Sequence, residues 1–248
     1  MRKRSNKQGS RPSPALLALA LATLCLGAGW SEAATDLNCK KGPFTRDFRT
    51  DECTFSNTGR TPFLVLEPGY WLNLEGEEDG IFLQVIITVL PDTEMVDGVL
   101  TRVVEERESE DGELVEVSRN FIAICAETGS TFYFGEDVDD YDNGMIVGHG
   151  GAWRAGVDGA EPGILIPSEA LLGARYFQEV APGLAMDRAC HAAVNRTFVS
   201  PAGTFTGCTR TVETSPLAPG DVSIKVHCPG IGMVFDDGIE LVDWSEAP

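Results

Sequence analysis

The sequence has few of the residues on which most enzyme active sites depend. It contains three histidines, and they lie in separate segments, so no pair has the spacing of a zinc site. A Gly-x-Ser-x-Gly elbow, a phosphate-binding glycine loop and a Cys-x-x-Cys pair are absent as well. These absences exclude the common hydrolase, nucleotide-binding and redox motifs, and we expect a protein without catalytic activity.

Positive charge is also scarce. There are 38 acidic residues against 19 basic ones, and the formal net charge is −19 at pH 7. Beyond the first 33 residues, lysine occurs only at Lys40, Lys41 and Lys225. Such a chain repels nucleic acids and anionic membranes, so we do not expect either as a partner. A small ligand or another protein remains open as the partner, and the sequence does not predict an oligomeric state.

The longest apolar stretch belongs to a predicted export signal at residues 1–33. A basic beginning is followed by the apolar run Ala15–Ala28, and small residues around Ala33 fit a cleavage site. That run is too short for a comfortable membrane span, and we expect no transmembrane segment after cleavage. The protein should therefore be exported, to a periplasmic or extracellular location.

Six cysteines follow the predicted signal, and in an exported protein an even number favours disulfides over metal binding. Cys39 and Cys53 bracket a short polar loop, and we predict that they form one pair. Cys125 and Cys190 are left as a further pair or as two free buried thiols.

Cys208 and Cys228 have a stronger basis for pairing. Both are ten residues from Ala218, the middle of the turn sequence SPLAPGD. In an antiparallel hairpin centred there they lie directly opposite each other, and we predict a second disulfide between them.

The distribution of turn residues predicts an all-β fold. Short strand-like segments alternate with glycine- and proline-rich turns, and no stretch has a convincing helical period. We expect an irregular segment at residues 34–66 and a single antiparallel β domain at residues 67–248. This domain should be a meander that forms a curved sheet, a half-barrel or a sandwich.

The centre of this meander is the segment from Val99 to Gly144. Asp111-Gly112 lies between two strand-like runs and is a strong hairpin signal, because a tight primed turn needs positive φ at its centre. A regular register from this turn places Arg107 opposite Glu116, as a favourable cross-strand pair.

The same register predicts a polar cluster of Arg102, Glu106 and Arg119. All three would lie on the apolar face, beside Val104 and Val117. Charges on such a face must be paired or open to a cleft. Two interpretations remain: a binding site inside a concave sheet, or a solvated rim produced by strand twist.

An acidic run at residues 136–144 is the candidate metal site. Asp137, Asp139 and Asp142 offer the oxygen ligands that calcium prefers. The run lacks the EF-hand pattern, and a solvated acidic turn explains it equally simply. No other cofactor is predicted.

Several phrases resemble a family of exported bacterial proteins of uncharacterised function. They are TRVVEERESEDGELVEVSRNF, YFGEDVDDY, GAWRAG, APGLAMDRA, PAGTFTGC, ETSPLAPG and PGIGMV, and they span about two thirds of the chain. The closing PAGTF…C…PGIG pattern is also loosely similar to periplasmic proteins with a curled antiparallel sheet, of the lipoprotein-carrier type. The resemblance implies membership and fold, and it implies no activity.

Two functions of different class follow. The first is a non-catalytic exported module that binds an apolar ligand or a protein in a curved β sheet. The second is an envelope hydrolase that uses Glu106 with Arg102 and Arg119. An apolar concavity would favour the first, and a polar pocket around those three residues would favour the second.

Overall fold

The computed structural model describes Cys39 and residues 42–245, so the predicted signal at residues 1–33 lies outside the described residues. A short 3-10 helix spans Thr50–Glu52. The strands, in chain order, are β1 (Phe55–Ser56), β2 (Gly59–Thr61), β3 (Leu64–Leu66), β4 (Trp71–Glu78), β5 (Ile81–Val96), β6 (Val99–Glu110), β7 (Glu113–Cys125), β8 (Thr131–Asp142), β9 (Met145–Gly148), β10 (Trp153–Arg154), β11 (Glu161–Ile166), β12 (Arg175–Phe177), β13 (Glu179–Val180), β14 (Arg188–Ser200), β15 (Gly203–Thr214), β16 (Ser223–Cys228), β17 (Gly232–Asp236) and β18 (Ile239–Trp244).

The predicted all-β fold is confirmed: strands make up 64% of the described residues, and one large antiparallel sheet nearly closes into a barrel-like curve. Its order is β12-β14-β15-β16-β17-β18-β4-β5-β6-β7-β8-β11-β13. Neighbours along the chain are neighbours in the sheet, as in a meander. The exceptions are β12 with β14, β8 with β11 and β11 with β13 towards the edges, and β18 with β4, which joins the two ends of the chain in the middle of the sheet.

One short segment bridges the two edges of this sheet. β12 pairs with β14 at one edge, and β13, which follows β12 after Gln178, pairs with β11 at the other. Gly163 of β11 makes this approach possible, because a Cβ atom there would lie 2.3 Å from the Gln178 carbonyl oxygen. This segment brings the two edges together, so the sheet nearly closes around its concave face.

Tight turns in the meander follow the predicted chemistry. Asp111 and Gly112 have φ angles of 49° and 84°, as a primed two-residue turn requires. Glu110 and Glu113 flank the turn as a pair, in the predicted register.

A bulge at Val115 then changes the register of the β6–β7 hairpin. Ser109 pairs with Leu114 but Glu108 pairs with Glu116, so Val115 has no partner in the ladder. The predicted pair of Arg107 with Glu116 is wrong for this reason. Because side chains alternate between faces, a shift of one residue moves every following side chain of β7 to the other side.

The segment before the barrel contains more regular structure than the irregular segment predicted for residues 34–66. Its first part packs on the convex side of the sheet, where β1 pairs with the end of β7, whereas Leu64 and Val65 of β3 line the concave side. Phe55 makes edge-to-face contacts with Phe132 and Phe134, which are almost fully buried. This cover is the reason why both faces of β7 and β8 are apolar at that end.

The disulfides follow from this packing. Cys53 is bonded to Cys125 because β1 places Phe55 opposite Cys125. Cys39 is bonded to Cys190, so the predicted pair Cys39–Cys53 does not form: the segment runs along the barrel instead of looping back.

Cys208 is bonded to Cys228, the pair expected from their equal distance to Ala218. The β15–β16 ladder has the register that this argument requires, with Thr209 opposite His227.

Candidate ligand-binding cavity

The concave side of the sheet encloses a cavity of about 390 Å³. Its lining divides into an apolar part and an acidic part. The apolar lining residues are Leu64, Val65, Tyr70, Leu72, Ile87, Val89, Val104, Ile122, Leu165, Ile231 and Met233. The ionisable lining residues, apart from the two tyrosines, are Glu106, Glu108, Glu116, Glu136, Glu179, Asp187, Glu213, Lys225 and His227.

On β6, the order of residues along one face of the strand produces the division of the lining into an apolar and an acidic part. Successive side chains alternate between the two faces, so Val104, Glu106 and Glu108 all point into the cavity. They change from apolar to acidic along the strand. From Val104 to Glu108 the strand advances by about 14 Å, so the two chemistries occupy different levels of the barrel.

β7 repeats this gradient in the opposite chain direction. From the apolar level to the acidic level, the side chains of β7 on the concave face are Ile122, Asn120, Ser118 and Glu116. The ladder pairs Val104 with Asn120 and Glu108 with Glu116, so the two strands are matched level by level. Sequence and register together therefore define one acidic end.

The facing wall adds the single cation of the lining. Lys225 Nζ lies 3.2 Å from Asp236 Oδ2 and 3.7 Å from Glu213 Oε2. These carboxylates, together with Glu106, raise the pKa of Lys225 well above its ordinary value in spite of burial. Burial, with the neighbouring Lys225 charge, lowers the pKa of His227 to about 3, so this imidazole is neutral at pH 7.

Burial dominates the titration of the acidic end. It raises the pKa of Glu106, Glu116 and Glu136 to about 7 in each case. Neighbouring carboxylates raise these values further, while Lys225 opposes the shift at Glu106 and Glu136. At neutral pH the three side chains are therefore divided between the protonated and the ionised form, and small changes in their surroundings alter their charge.

A polar network fixes the side chains between the two ends. The Tyr133 hydroxyl donates a hydrogen bond to Asn120 Oδ1. Asn120 Nδ2 in turn donates to the Val104 carbonyl oxygen and to Ser118 Oγ, both at 3.2 Å. Since Asn120 and Ser118 are both buried, this network holds the middle of the cavity wall in one arrangement.

The predicted polar cluster is not assembled. Glu106 points into the cavity, but the bulge at Val115 places Arg119 on the other face of β7, opposite Glu105. There Arg119 lies 3.2 Å from Glu105 Oε2 and 3.0 Å from Asp139 Oδ2. Its charge is neutralised outside the cavity.

Arg102 instead donates hydrogen bonds to backbone carbonyl groups. Its Nε donates to the Asn57 carbonyl oxygen at 2.9 Å, and its Nη1 donates to that of Pro91 at 2.7 Å. The β5–β6 register shifts between Val89 and Thr93, so Pro91 lies in an irregular stretch whose carbonyl groups need donors. Arg102 therefore supports the bend in β5.

The predicted calcium ligands are not brought together. Asp137 accepts a hydrogen bond from Arg154 at 2.9 Å, and Asp139 contacts both Arg119 and His149. Asp142, at the end of β8, accepts one from Asn143. Among the described residues, the three carboxylates do not lie within 4.8 Å of one another.

The one group of potential ligand atoms that does lie so close, within residues 42–245, is Cys53, Cys125 and Glu127. Its two sulfur atoms are already joined in a disulfide, which leaves them without the thiolate form that binds metals.

Sequence reasoning missed most of the acidic end. Glu179, Asp187, Glu213 and Lys225 come from distant parts of the chain, and only the closed sheet brings them together. One signal was available: Lys225 is a rare lysine inside a strand, next to the buried Val226.

No family model matches this chain, and no curated protein matches it significantly. The resemblance to a family of exported bacterial proteins therefore stays a prediction. One solved structure, of a "putative lipoprotein" from Parabacteroides distasonis at 2.70 Å resolution, is similar at 12% identity. The match covers 76% of this chain and 100% of that chain, with a TM-score of 0.38. Within residues 42–245, no helix has the length and apolar character needed to cross a bilayer.

Proposed function

We propose that this protein is an exported, non-catalytic β module that holds an apolar ligand in the concavity of its curved sheet. The observation that carries this proposal is the cavity itself, which is enclosed by strands and has a continuous apolar wall. Ile87 and Val89 of β5, Val104 of β6 and Met233 of β17 contribute to that wall.

The size and make-up of the cavity support this role. Pockets for small ligands have volumes of about 300–1,000 Å³ and combine an apolar lining with a few fixed polar groups. The cavity of about 390 Å³ falls within this range. Asn120 and Tyr133 are fixed polar groups of this kind, held by their own hydrogen bonds.

Export is supported by the three disulfides, since disulfides persist in oxidising compartments and are rare in the cytosol. The predicted signal at residues 1–33 points the same way. Both fit a periplasmic or an extracellular location.

The hydrolase hypothesis loses its basis in this arrangement. It required Arg102 and Arg119 beside Glu106, but one arginine holds a strand bend and the other lies outside the cavity. We therefore favour binding over catalysis.

A neutral fluorescent probe tests the proposal. N-phenyl-1-naphthylamine brightens in apolar surroundings, and we expect saturable binding by the purified protein. Val89→Trp, which fills the apolar end beside Val104, should weaken binding by about tenfold or more. Ile81→Trp on the same strand is the matched control, because Ile81 is 39% exposed and lies outside the cavity. Absence of saturable binding, or equal effects of the two substitutions in folded variants, would contradict the proposal.

A further inference from the structure

The charges in the cavity lining do not balance. Glu106, Glu108, Glu116, Glu136, Glu179, Asp187 and Glu213 face one basic side chain, that of Lys225. Lys225 is already engaged by Glu213 and by Asp236, which lies behind the lining. The acidic end therefore has an excess of hydrogen-bond acceptors and of negative charge.

One acceptor atom at this end has no partner among the described residues. Gln178 is only 7% exposed, and its Nε2 donates to Glu213 Oε1 at 2.7 Å and to the Leu165 carbonyl oxygen at 3.3 Å. Both of these partners are acceptors, which fixes the orientation of the amide and leaves Oε1 as an unpaired acceptor. Burial raises the pKa of Glu179, the next residue, well above its ordinary value, and a hydrogen bond from Trp153 opposes this shift.

Buried acceptors without donors are costly and rare, and each calls for an explanation. A ligand that carries N–H donors and a positive charge would satisfy the Gln178 Oε1 atom and offset the excess charge. The apolar wall at the other end of the same cavity requires that such a ligand also has an apolar body.

We infer that the ligand of this cavity is an amphiphilic organic cation, with its ammonium-type group at the acidic end and its apolar body against Val89, Val104 and Met233. This inference rests on the proposed binding function and names the chemical class that the cavity selects. A neutral or anionic amphiphile of the same length should bind less tightly, because it leaves the acceptor unpaired or adds to the negative charge.

The titration of the acidic end supports this inference. A bound cation favours ionised carboxylates, so binding near neutral pH should release protons from Glu106, Glu116 and Glu136, whose pKa values lie at about 7. The other ionisable groups that face this space, or stand directly behind it, are Glu108, Tyr133, Glu179, Asp187, Glu213, Lys225, His227 and Asp236. Lys225 stays protonated and His227 neutral over this range, since the pKa of Lys225 is raised and that of His227 is about 3.

Isothermal titration calorimetry with three eight-carbon ligands tests the inference. At about pH 8 and low salt, n-octylammonium should bind about tenfold more tightly than 1-octanol, and octanoate should bind most weakly. Between about pH 6 and pH 8 the affinity for n-octylammonium should rise while that for 1-octanol stays constant. Proton release should appear as different apparent enthalpies in buffers of different ionisation enthalpy.

Two charge-neutral variants locate the effect. Glu106→Gln and Glu136→Gln should each lower the affinity for n-octylammonium several-fold and leave the affinity for 1-octanol unchanged. Glu105→Gln is the matched control, because Glu105 precedes Glu106 on β6 and pairs with Arg119 outside the cavity. The pH profile of the unmodified protein provides the same test if a variant does not fold.

The outcomes separate the two claims. Binding of 1-octanol at least as tight as that of n-octylammonium would overturn the cation inference and leave the proposed function intact. Equal losses in Glu105→Gln and Glu106→Gln, or full competition by calcium chloride at the same concentration, would also overturn it. If none of the three ligands binds, the proposed function fails, and the inference fails with it.

Discussion

Glu108 lies directly opposite Glu116 in the β6–β7 ladder, and both side chains line the same cavity. Like charges at facing positions destabilise a sheet. Burial and Glu108 together raise the pKa of Glu116 to about 7, and burial is the larger cause. The fold thus keeps an unfavourable pair at the acidic end, which is understandable if the pair serves a ligand and not stability.

The first prediction concerns pH. Glu106, Glu116 and Glu136 hold protons up to about pH 7 in the folded protein but release them near their ordinary pKa of 4.5 when unfolded. Their contribution to stability is complete below about pH 4.5 and is lost as pH rises through about 7. We therefore expect the free energy of unfolding, measured by urea denaturation without reductant, to fall between about pH 6.5 and pH 8.

Two histidines act in the opposite direction at lower pH. Burial lowers the pKa of His191 to about 4 and that of His227 to about 3, against an ordinary value of 6.5. The two histidines contribute to the free energy of unfolding above about pH 6.5, and this contribution is lost on acidification. The urea denaturation series therefore starts at about pH 6.5. Stability that rises or stays level from pH 6.5 to 8 would contradict the assignment of the raised carboxyl pKa values.

The second prediction separates neighbouring residues on β6. Glu106→Gln should raise the free energy of unfolding at about pH 8 by about 1–3 kcal/mol, because it removes an ionised carboxylate from a desolvated position. Near pH 5, where Glu106 is protonated, the gain should disappear. Glu105→Gln should instead cost up to about 1 kcal/mol, the usual contribution of a partly exposed ion pair such as Glu105–Arg119. A loss of stability in Glu106→Gln at pH 8 would mean that this carboxylate has a cationic partner after all.

The third prediction concerns Arg102. Arg102→Met should lower the free energy of unfolding by about 2–4 kcal/mol, because the carbonyl groups of Asn57 and Pro91 lose a charged donor. Arg107→Met is a fitting control on the same strand, since Arg107 is largely exposed and makes only a 3.7 Å contact with Glu105. The free energies of unfolding of the two variants, measured by chemical denaturation, should differ by more than about 1 kcal/mol. Equal values would contradict a structural role for Arg102.

The fourth prediction compares two disulfides. Cys53 and Cys125 are separated by 72 residues, and Cys208 and Cys228 by 20. In the chain-entropy account, replacing the first pair by serine should cost about 1 kcal/mol more than replacing the second. Denaturation of both double variants measures the difference, and peptide mapping without reduction checks the pairing. A larger cost for the Cys208–Cys228 pair would show that native packing, and not loop closure, determines the effect.

Local features of this fold were predictable from the sequence. The turn at Asp111-Gly112 depends only on the positive φ of two adjacent residues. The Cys208–Cys228 pair depends on one hairpin with its centre at Ala218. In both cases the relevant interactions lie within about twenty residues.

The bulge at Val115 marks the limit of such reasoning. The sequence around Val115 keeps the alternation of a regular strand. The bulge depends on the pairing of β7 with both of its neighbours, β6 and β8. Its effect reached the candidate site, because it turned Arg119 outward and left Glu106 without an arginine. Pro91 is similar: β5 continues through it to Val96 as an irregular stretch, and the donor that supports this stretch is Arg102 from the neighbouring strand.

The acidic end was beyond prediction for a topological reason. Its members come from β6, β7, β8, β13, β15 and β16, and the order of strands in the closed sheet decides that they meet. A single sequence rich in carboxylates gives no means to select these seven from 38.

A crystal structure of the protein with n-octylammonium at about pH 8 tests the central claim most directly. The account predicts the alkyl chain against Val89 and Met233, with the ammonium nitrogen within about 3.2 Å of Gln178 Oε1 or of a carboxylate oxygen at the acidic end. A ligand found only on the outer surface, or one bound with its ammonium group at the apolar end, would contradict it.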